Sequence, residues 1–281
     1  FYGANPFGKE KLLGRGGSDI TGAVLAKALN AESYENWTDV SGIMMADPRI
    51  IDSPKVIEEI SFRELREMAY MGANVLHEAA VFPVQEADIP IQIKNTNEPE
   101  AKGTRISNHE VEKENGLTGI AGRKDFLSIT LFKRHMSDEI GFIWKAMSIF
   151  ANYGISIEHI PSGIDNIGVV VSAEAIADKL FLITKELKEK LGVEEIEIID
   201  ELALISVVGG PHKELIGLSG KVLSILNQLG IRTSILSQGA QELNLIIGVA
   251  NDQYETVVKG IYEGMVTAHV SETSDGITSN S

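Results

Sequence analysis

Close to its start the chain reads Leu13-Gly14-Arg15-Gly16-Gly17-Ser18-Asp19-Ile20-Thr21-Gly22. Glycines, an arginine and an aspartate thus stand just ahead of Ile20, Val24, Leu25 and Leu29, whose spacing predicts a helix. Glycine lets a backbone turn tightly and approach a ligand closely, and Ser18 or Asp19 suits the N-cap of that helix. A glycine-rich turn feeding a helix N-terminus offers free N–H groups and the positive end of the helix dipole to an anion. An ordinary capped connection uses the same residues, so this stretch alone leaves both readings open. It is neither of the two common phosphate fingerprints. It lacks a Gly-Lys-Ser/Thr ending, and Asp19 stands where a dinucleotide motif would have its third glycine.

Two further segments carry candidate chemistry. In Thr38-Asp39-Val40-Ser41-Gly42-Ile43-Met44-Met45-Ala46-Asp47-Pro48-Arg49, the Thr38-Asp39 pair reads equally as a strand-end turn or a nucleotide contact. The Asp47-Pro48-Arg49 turn leaves an arginine able to reach a phosphate. In Tyr70-Met71-Gly72-Ala73-Asn74-Val75-Leu76-His77, the terminal His77-Glu78-Ala79-Ala80-Val81 starts like a zinc-binding H-E-x-x-H. Val81 replaces the second histidine, so no metal site is expected there.

The elements that must position these residues follow from pattern. Residues 1–94 read as α/β, with a helix near 17–30, a strand at 34–38, helices at 61–71 and near 74–86, and a strand at 89–93. The polar stretch 95–122 reads as a linker and 268–281 as a flexible tail. Beyond the linker lies an internal repeat: a shift of 76 positions lays 126–173 on 202–249 without a gap. Gly141 then meets Gly217, Gly154-Ile155 meets Gly230-Ile231, and Val169-Val170-Val171 meets Leu245-Ile246-Ile247. Each unit reads strand, helix, strand, turn, strand, helix, which fits βαββαβ.

Composition narrows the function classes. The 281 residues are 43% hydrophobic and 23% charged, ordinary for a globular protein. A net charge of −15 without a basic stripe excludes a general nucleic-acid or membrane-surface binder, but leaves anionic small molecules open. The absence of cysteine excludes disulfides, thiol catalysis and cysteine-ligated metals. No apolar run is long enough to span a membrane and no signal peptide opens the chain, so a cytoplasmic location is expected. The chain begins without Met on Phe1-Tyr2-Gly3-Ala4-Asn5-Pro6-Phe7-Gly8, which reads as the middle of a domain, so an N-terminal portion is expected to be absent.

The ordered set GRGGSD, TDVxG…DPR and MGAxVLH, followed by two ACT-type repeats, resembles the aspartate kinases of the amino-acid kinase family over roughly residues 1–265. The resemblance implies α/β plus α+β. The C-terminal part of an amino-acid-kinase α/β domain (1–94) and the linker (95–122) would precede two ferredoxin-like βαββαβ ACT domains (123–200 and 201–267). It implies ATP with Mg²⁺ as cofactors and L-aspartate as substrate, the γ-phosphoryl group passing to the β-carboxylate. Arg15, Gly16, Gly17, Ser18 and Asp19 match aspartate-binding positions, and Asp19 is the candidate catalytic residue, organising the catalytic lysine. Thr38, Asp39, Met44, Arg49, Asn74 and Val75 match the nucleotide side. Met44 stands where relatives place a tyrosine, Asn74 where they place a lysine, and Glu78 where proline is common. The nucleophile is already ionised at neutral pH, so the chemistry calls for positioning and charge stabilisation rather than a general base. The family's Lys-Phe-Gly-Gly-Thr segment does not occur in the chain, which is therefore expected to be inert alone.

ACT-type modules pair side by side and hold amino acids at the seam. The expected effector site takes Met136, Glu139 and Gly141 from one loop, with Ile157, Glu158, Ser162, Gly163 and Asp165 across from it. Carboxylates at Glu139, Glu158 or Asp165 would hold an ammonium group, which favours lysine over threonine, although each also reads as a solvated loop charge. The matching loops of the second repeat, 212–219 and 237–241, carry fewer acids, so that repeat is expected to pack and form a homodimer or higher homo-oligomer. His135, His159 and His212 read as loop contacts rather than metal ligands. The alternative is a non-catalytic regulatory chain that binds lysine or threonine and dimerises. Glutamate or carbamate kinases are disfavoured by the two repeats.

Overall fold

The computed structural model describes residues 2–12, 14, 16–73, 76–109, 111, 116–209, 217–239 and 243–267. A hairpin of β1 (Tyr2–Ala4) and β2 (Glu10–Leu12) leads through the glycine turn to α1 (Gly17–Ala28). β3 (Tyr34–Thr38), β4 (Glu59–Ser61), β5 (Ile91–Asn95) and β6 (Thr104–Ser107) form a sheet in the order β3-β5-β6-β4. β3 runs parallel to β5 and β4 to β6, while β5 and β6 are antiparallel. Ile60, Ile91, Ile93 and Ile106 of this sheet are buried against α2 (Phe62–Tyr70) and α3 (Glu78–Glu86) through Phe62, Leu65, Met68, Ala80 and Val84.

The helix expected near 17–30 is present, but its outward face differs from the expectation. Ala23 and Ala26 are buried, whereas Val24, Leu25 and Leu29 are 49%, 54% and 77% exposed. Small residues let α1 approach β3 closely: a Cβ on Gly22 would lie 2.7 Å from the Tyr34 ring.

A second sheet runs β10-β11-β9-β7-β8. Its strands are β7 (Leu117–Phe132), β8 (Asn166–Ser172), β9 (Glu195–Gly209), β10 (Ile235–Ser237) and β11 (Asn244–Ala250). Helices α4 (Phe142–Asn152), α5 (Ala173–Ile176), α6 (Leu180–Leu191), α7 (Leu218–Gln228) and α8 (Tyr254–Tyr262) complete it. The internal repeat is visible: α4 and α7 start 76 positions apart, at Phe142 and Leu218.

The units share their longest strands. In unit one, the second half of β7 pairs with β8 and with the first half of β9. In unit two, the second half of β9 pairs with β11 and with the first half of β7. The register slips between Arg123 and Phe126, and Asp125 (φ 67°) and Glu201 (φ 49°) take left-handed conformations at these crossover points. Unit two therefore receives its fourth strand from residues that precede unit one in the chain. The stretch 95–122, expected as a linker, instead supplies β6 to the first sheet and residues 117–122 to the second.

Burial is nearly continuous along β8, the second half of β9 and β11, as a sheet covered on both faces requires. Leu127, Ile129 and Leu131 pack with Phe142, Ala146 and Phe150 of α4. Ala203, Ile205 and Val207 pack with Leu218 and Val222 of α7 and Val257 and Ile261 of α8. The opposite face, through Phe126, Val170, Leu202 and Leu204, joins the core that contains α2.

Candidate functional site

Gly16 is the N-cap of α1, with φ 78° and ψ 11°, and no side chain caps the helix. Ser18 and Asp19, the expected caps, lie inside its first turn. Ser18 Oγ donates to Asp19 Oδ1 (3.2 Å), and so does Asn36 Nδ2 (3.3 Å). The backbone N–H of His77 donates to Asp19 Oδ2 at 3.3 Å. Three long bonds hold the carboxylate in place and leave it acceptor capacity for a cation. Alternation on β3 places Tyr34, Asn36 and Thr38 on one face. The Tyr34 hydroxyl donates to the Asp19 carbonyl at 3.3 Å and accepts from Asn36 Nδ2 at 3.0 Å. Burial, together with the Asp19 charge, raises its pKa against the Asn36 hydrogen bond.

His77 closes this arrangement. It is the N-cap of α3, its Nδ1 accepting from Ala79 N at 3.2 Å. Its ring lies so close to Gly16 that a Cβ there would come within 2.3 Å of His77 Cδ2. The glycine turn and the MGAxVLH segment, more than fifty residues apart in sequence, therefore meet. Thr38 ends β3 two residues beyond Asn36; its hydroxyl donates to Asp39 Oδ1 (3.2 Å) and its carbonyl accepts from Thr96 N (2.8 Å). Arg15, Asn74 and Val75 lie outside the described residues.

Met44 and Arg49 occupy a different setting. Met44 bridges to Val56, and Met45 N donates to the Lys55 carbonyl at 2.9 Å, closing a loop. That loop rests on unit two. Ala46 and Ile51 are buried with Leu218, Ile261 and Tyr262, Lys55 N donates to Tyr262 Oη at 2.8 Å, and Ile120 N donates to the Met45 carbonyl at 2.6 Å. Arg49 grips its own Asp47 (Nη2 to Oδ2 2.6 Å, Nε to Oδ1 3.0 Å), and this bidentate hold lowers the Asp47 pKa. Among the described residues no hydrogen bond or ion pair links Arg49 to the glycine turn.

In unit one the expected effector residues surround the start of α4, whose N-cap is Gly141 (φ 79°) with open space beside it. Glu139 is paired with Lys133 and, at 2.8 Å, with Lys145, and these lysines hold its pKa down at about 2. Asp165 Oδ1 accepts from His135 N (2.9 Å), fixing the left-handed His135. Met136 is buried and Ile157 packs on the same core. Ser162 bridges to Ile167, and Gly163 N donates to the Asn166 carbonyl at 2.9 Å. Ser162 and Gly163 also line a cavity of about 250 Å³ with Ser128, Thr130, Ile199 and Ile235. Of the three expected carboxylates, Glu139 and Asp165 thus have partners within unit one. Glu158 instead reaches α2, accepting from Tyr70 Oη at 2.7 Å.

α2 is the member common to both sheets. Ser61 caps it through a reciprocal capping box with Glu64, and buried Glu64 also accepts a short hydrogen bond from Thr118 of β7. Asn244 Nδ2 of β11 donates to Glu67 Oε2 at 2.6 Å. With Tyr70, three side chains of one short helix reach both units, and the helix ends there, followed by Met71 and Gly72. Sequence reasoning missed Tyr34, Asn36 and Tyr70. The alternation of β3 could have found the first two, whereas nothing in the sequence marks Tyr70.

Residues 1–95 match the model of the amino acid kinase family, and residues 205–265 match that of an ACT domain. Aspartokinase 3 of Bacillus subtilis is 35% identical over 266 residues, which cover 94% of this chain and 58% of that protein. The lysine-sensitive aspartokinase 3 of Escherichia coli is 32% identical over 94% of this chain and 59% of its own length. Aspartate kinase of Clostridium acetobutylicum superposes with a TM-score of 0.89 at 42% identity, covering 94% of this chain and 61% of that one. Escherichia coli aspartokinase III in complex with aspartate and ADP gives 0.75 at 31% identity, covering 94% and 59%. The chain therefore spans about three fifths of the length of the relatives it matches.

Proposed function

This chain groups with the aspartokinases in sequence and in fold, and on that premise we propose that it serves an aspartate kinase. The reaction passes the γ-phosphoryl group of ATP to the β-carboxylate of L-aspartate, giving an acyl phosphate and ADP. The single observation that carries the reading is the meeting of the glycine turn with His77 and Asn36 around Asp19. Gly16 and Gly17 bring the uncapped start of α1 to the substrate carboxylates, and Ser18 adds a hydroxyl. Asp19, held by three donors, organises a catalytic cation. Thr38 and Asp39, at the carboxyl end of β3, face the nucleotide side, where open α/β sheets bind ligands. The exposed Val24, Leu25 and Leu29 stripe of α1 is the surface on which the remaining part of such a kinase domain would pack.

Among the described residues no group of three or more His, Asp or Glu side chains could hold a metal ion. Mg²⁺ would accompany the ATP phosphates and offset their charge. The ACT-type units supply feedback control by an amino acid at unit one. Lysine is preferred over threonine because Glu158 can meet its side-chain ammonium group, which threonine lacks, and a homodimer or higher homo-oligomer forms through these units. No helix among the described residues is long and apolar enough to cross a membrane. A cytoplasmic location fits an enzyme that draws on the ATP pool. The regulatory-chain alternative gives no role to the geometry around Asp19. The test is an acceptor panel with the full-length protein: ADP release with aspartate and at least about tenfold less with glutamate is expected, a difference one misplaced methylene can produce. Equal turnover of both acceptors, or of neither, sinks the assignment.

A further inference from the structure

Glu158 joins the expected effector loop to the kinase-side helix. Its Oε2 accepts from Tyr70 Oη at 2.7 Å and faces Arg123 Nη1 at 4.0 Å, and its side chain is only 13% exposed. Tyr70 is the last residue of α2. Beyond it Gly72 packs on Arg123, where a Cβ would stand 3.4 Å from Arg123 Cγ, and His77 holds Asp19 and Gly16. Arg123 lies at the register slip of β7, its guanidinium 5.3 Å from the centre of the Phe126 ring. One enclosed carboxylate thus ties together the end of α2, the bend of β7 and unit one.

An incoming ammonium and the Tyr70 hydroxyl are unequal claimants on that carboxylate. Partial burial and the Glu158 hydrogen bond keep the phenol protonated, with a pKa pushed up to about 12, so it is a neutral donor. A hydrogen bond that is charged on both sides is the stronger one. We infer that Tyr70 is the residue through which effector occupancy is read: an effector ammonium at Glu158 displaces the Tyr70 hydroxyl and frees the end of α2 from unit one. This rests on the effector reading proposed above. The two states it requires are Tyr70 on Glu158, as observed, and Tyr70 released. The effector shifts the balance because its ammonium finds Glu158 unoccupied only in the second.

The experiment titrates L-lysine, then L-threonine, into the chain and its Tyr70→Phe variant by calorimetry, while hydrogen exchange follows the peptide 68–73. With the competing donor gone, Tyr70→Phe is expected to bind lysine about three- to tenfold more tightly, within the range of one ordinary intramolecular hydrogen bond. Lysine should raise exchange in 68–73 of the parent and leave the variant unchanged, because the variant is already released. Glu158→Gln should abolish the difference between the two Tyr70 backgrounds. Equal affinities of parent and Tyr70→Phe, or unchanged exchange in the parent at saturating lysine, overturn the switch but leave the effector site standing. Binding of neither amino acid to either protein overturns the effector reading, and the switch with it.

Discussion

Replacing Asp19 by asparagine in the full-length protein is expected to lower kcat by about a hundred- to a thousandfold, the effect of removing one preorganised electrostatic group. Asparagine keeps the shape of the side chain and an oxygen for Ser18 and Asn36, so the turn itself should survive. What it loses is the acceptor for the His77 N–H and the negative charge that, on the reading proposed above, fixes a cation beside the transferring phosphoryl group. Asp19 is half-buried and sits in the first turn of α1, where losing an acidic residue costs about 0.3–1 kcal/mol through the helix dipole. A urea titration should therefore show a small shift against a large kinetic loss. If kcat is unchanged while stability falls by that small amount, Asp19 is a helix-start acid and no more.

The second large effect is expected at Gly16. Its φ of 78° costs an L-residue roughly 1–2 kcal/mol. Alanine would also bring its Cβ within 2.3 Å of His77 Cδ2 and 2.6 Å of His77 Cβ. The ring cannot stay, and as it moves the His77 N–H leaves Asp19. Gly16→Ala should thus lose about 2–4 kcal/mol of stability, the left-handed penalty plus overpacking. It should also raise the KM for aspartate by about tenfold or more, as misplacement near a reacting centre does. Gly14→Ala is the control, since nothing lies within 4 Å of a Cβ at that position. Denaturant midpoints and aspartate kinetics on both variants separate the outcomes, and equal behaviour of the two contradicts the placement of the turn against His77.

How much of this was legible in the sequence depends on the range of the interaction involved. The helix after the glycine turn, the strand at Tyr34–Thr38 and the repeat were readable, because local periodicity and self-similarity encode them. The buried face of α1 was not. Val24, Leu25 and Leu29 have the spacing of a core stripe, yet Ala23, Ala26 and Gly22 face the sheet, because close approach to Tyr34 requires small side chains. Residues 117–122 looked like linker because their pairing partners lie about eighty to ninety residues downstream, at 205–209 in β9; no local pattern reports a strand shared between two units. Glu139 read as a free carboxylate, but Lys133 and Lys145, each six residues away in sequence, had already claimed it. Arg49 read as free to reach a phosphate, whereas a bidentate grip on Asp47 within its own turn holds it next to α8. Such short loop pairings are set by backbone turns rather than by residue types.

On the reading proposed above, this chain holds one part of an aspartate kinase site together with its amino-acid-binding control. Aspartate-dependent ADP formation by the 281-residue chain, alone and supplied with a segment bearing Lys-Phe-Gly-Gly-Thr, puts that to the test. No turnover alone, with turnover on complementation that lysine then suppresses, is the predicted result. Turnover by the chain alone, or none with the complementing segment folded and bound, would contradict it.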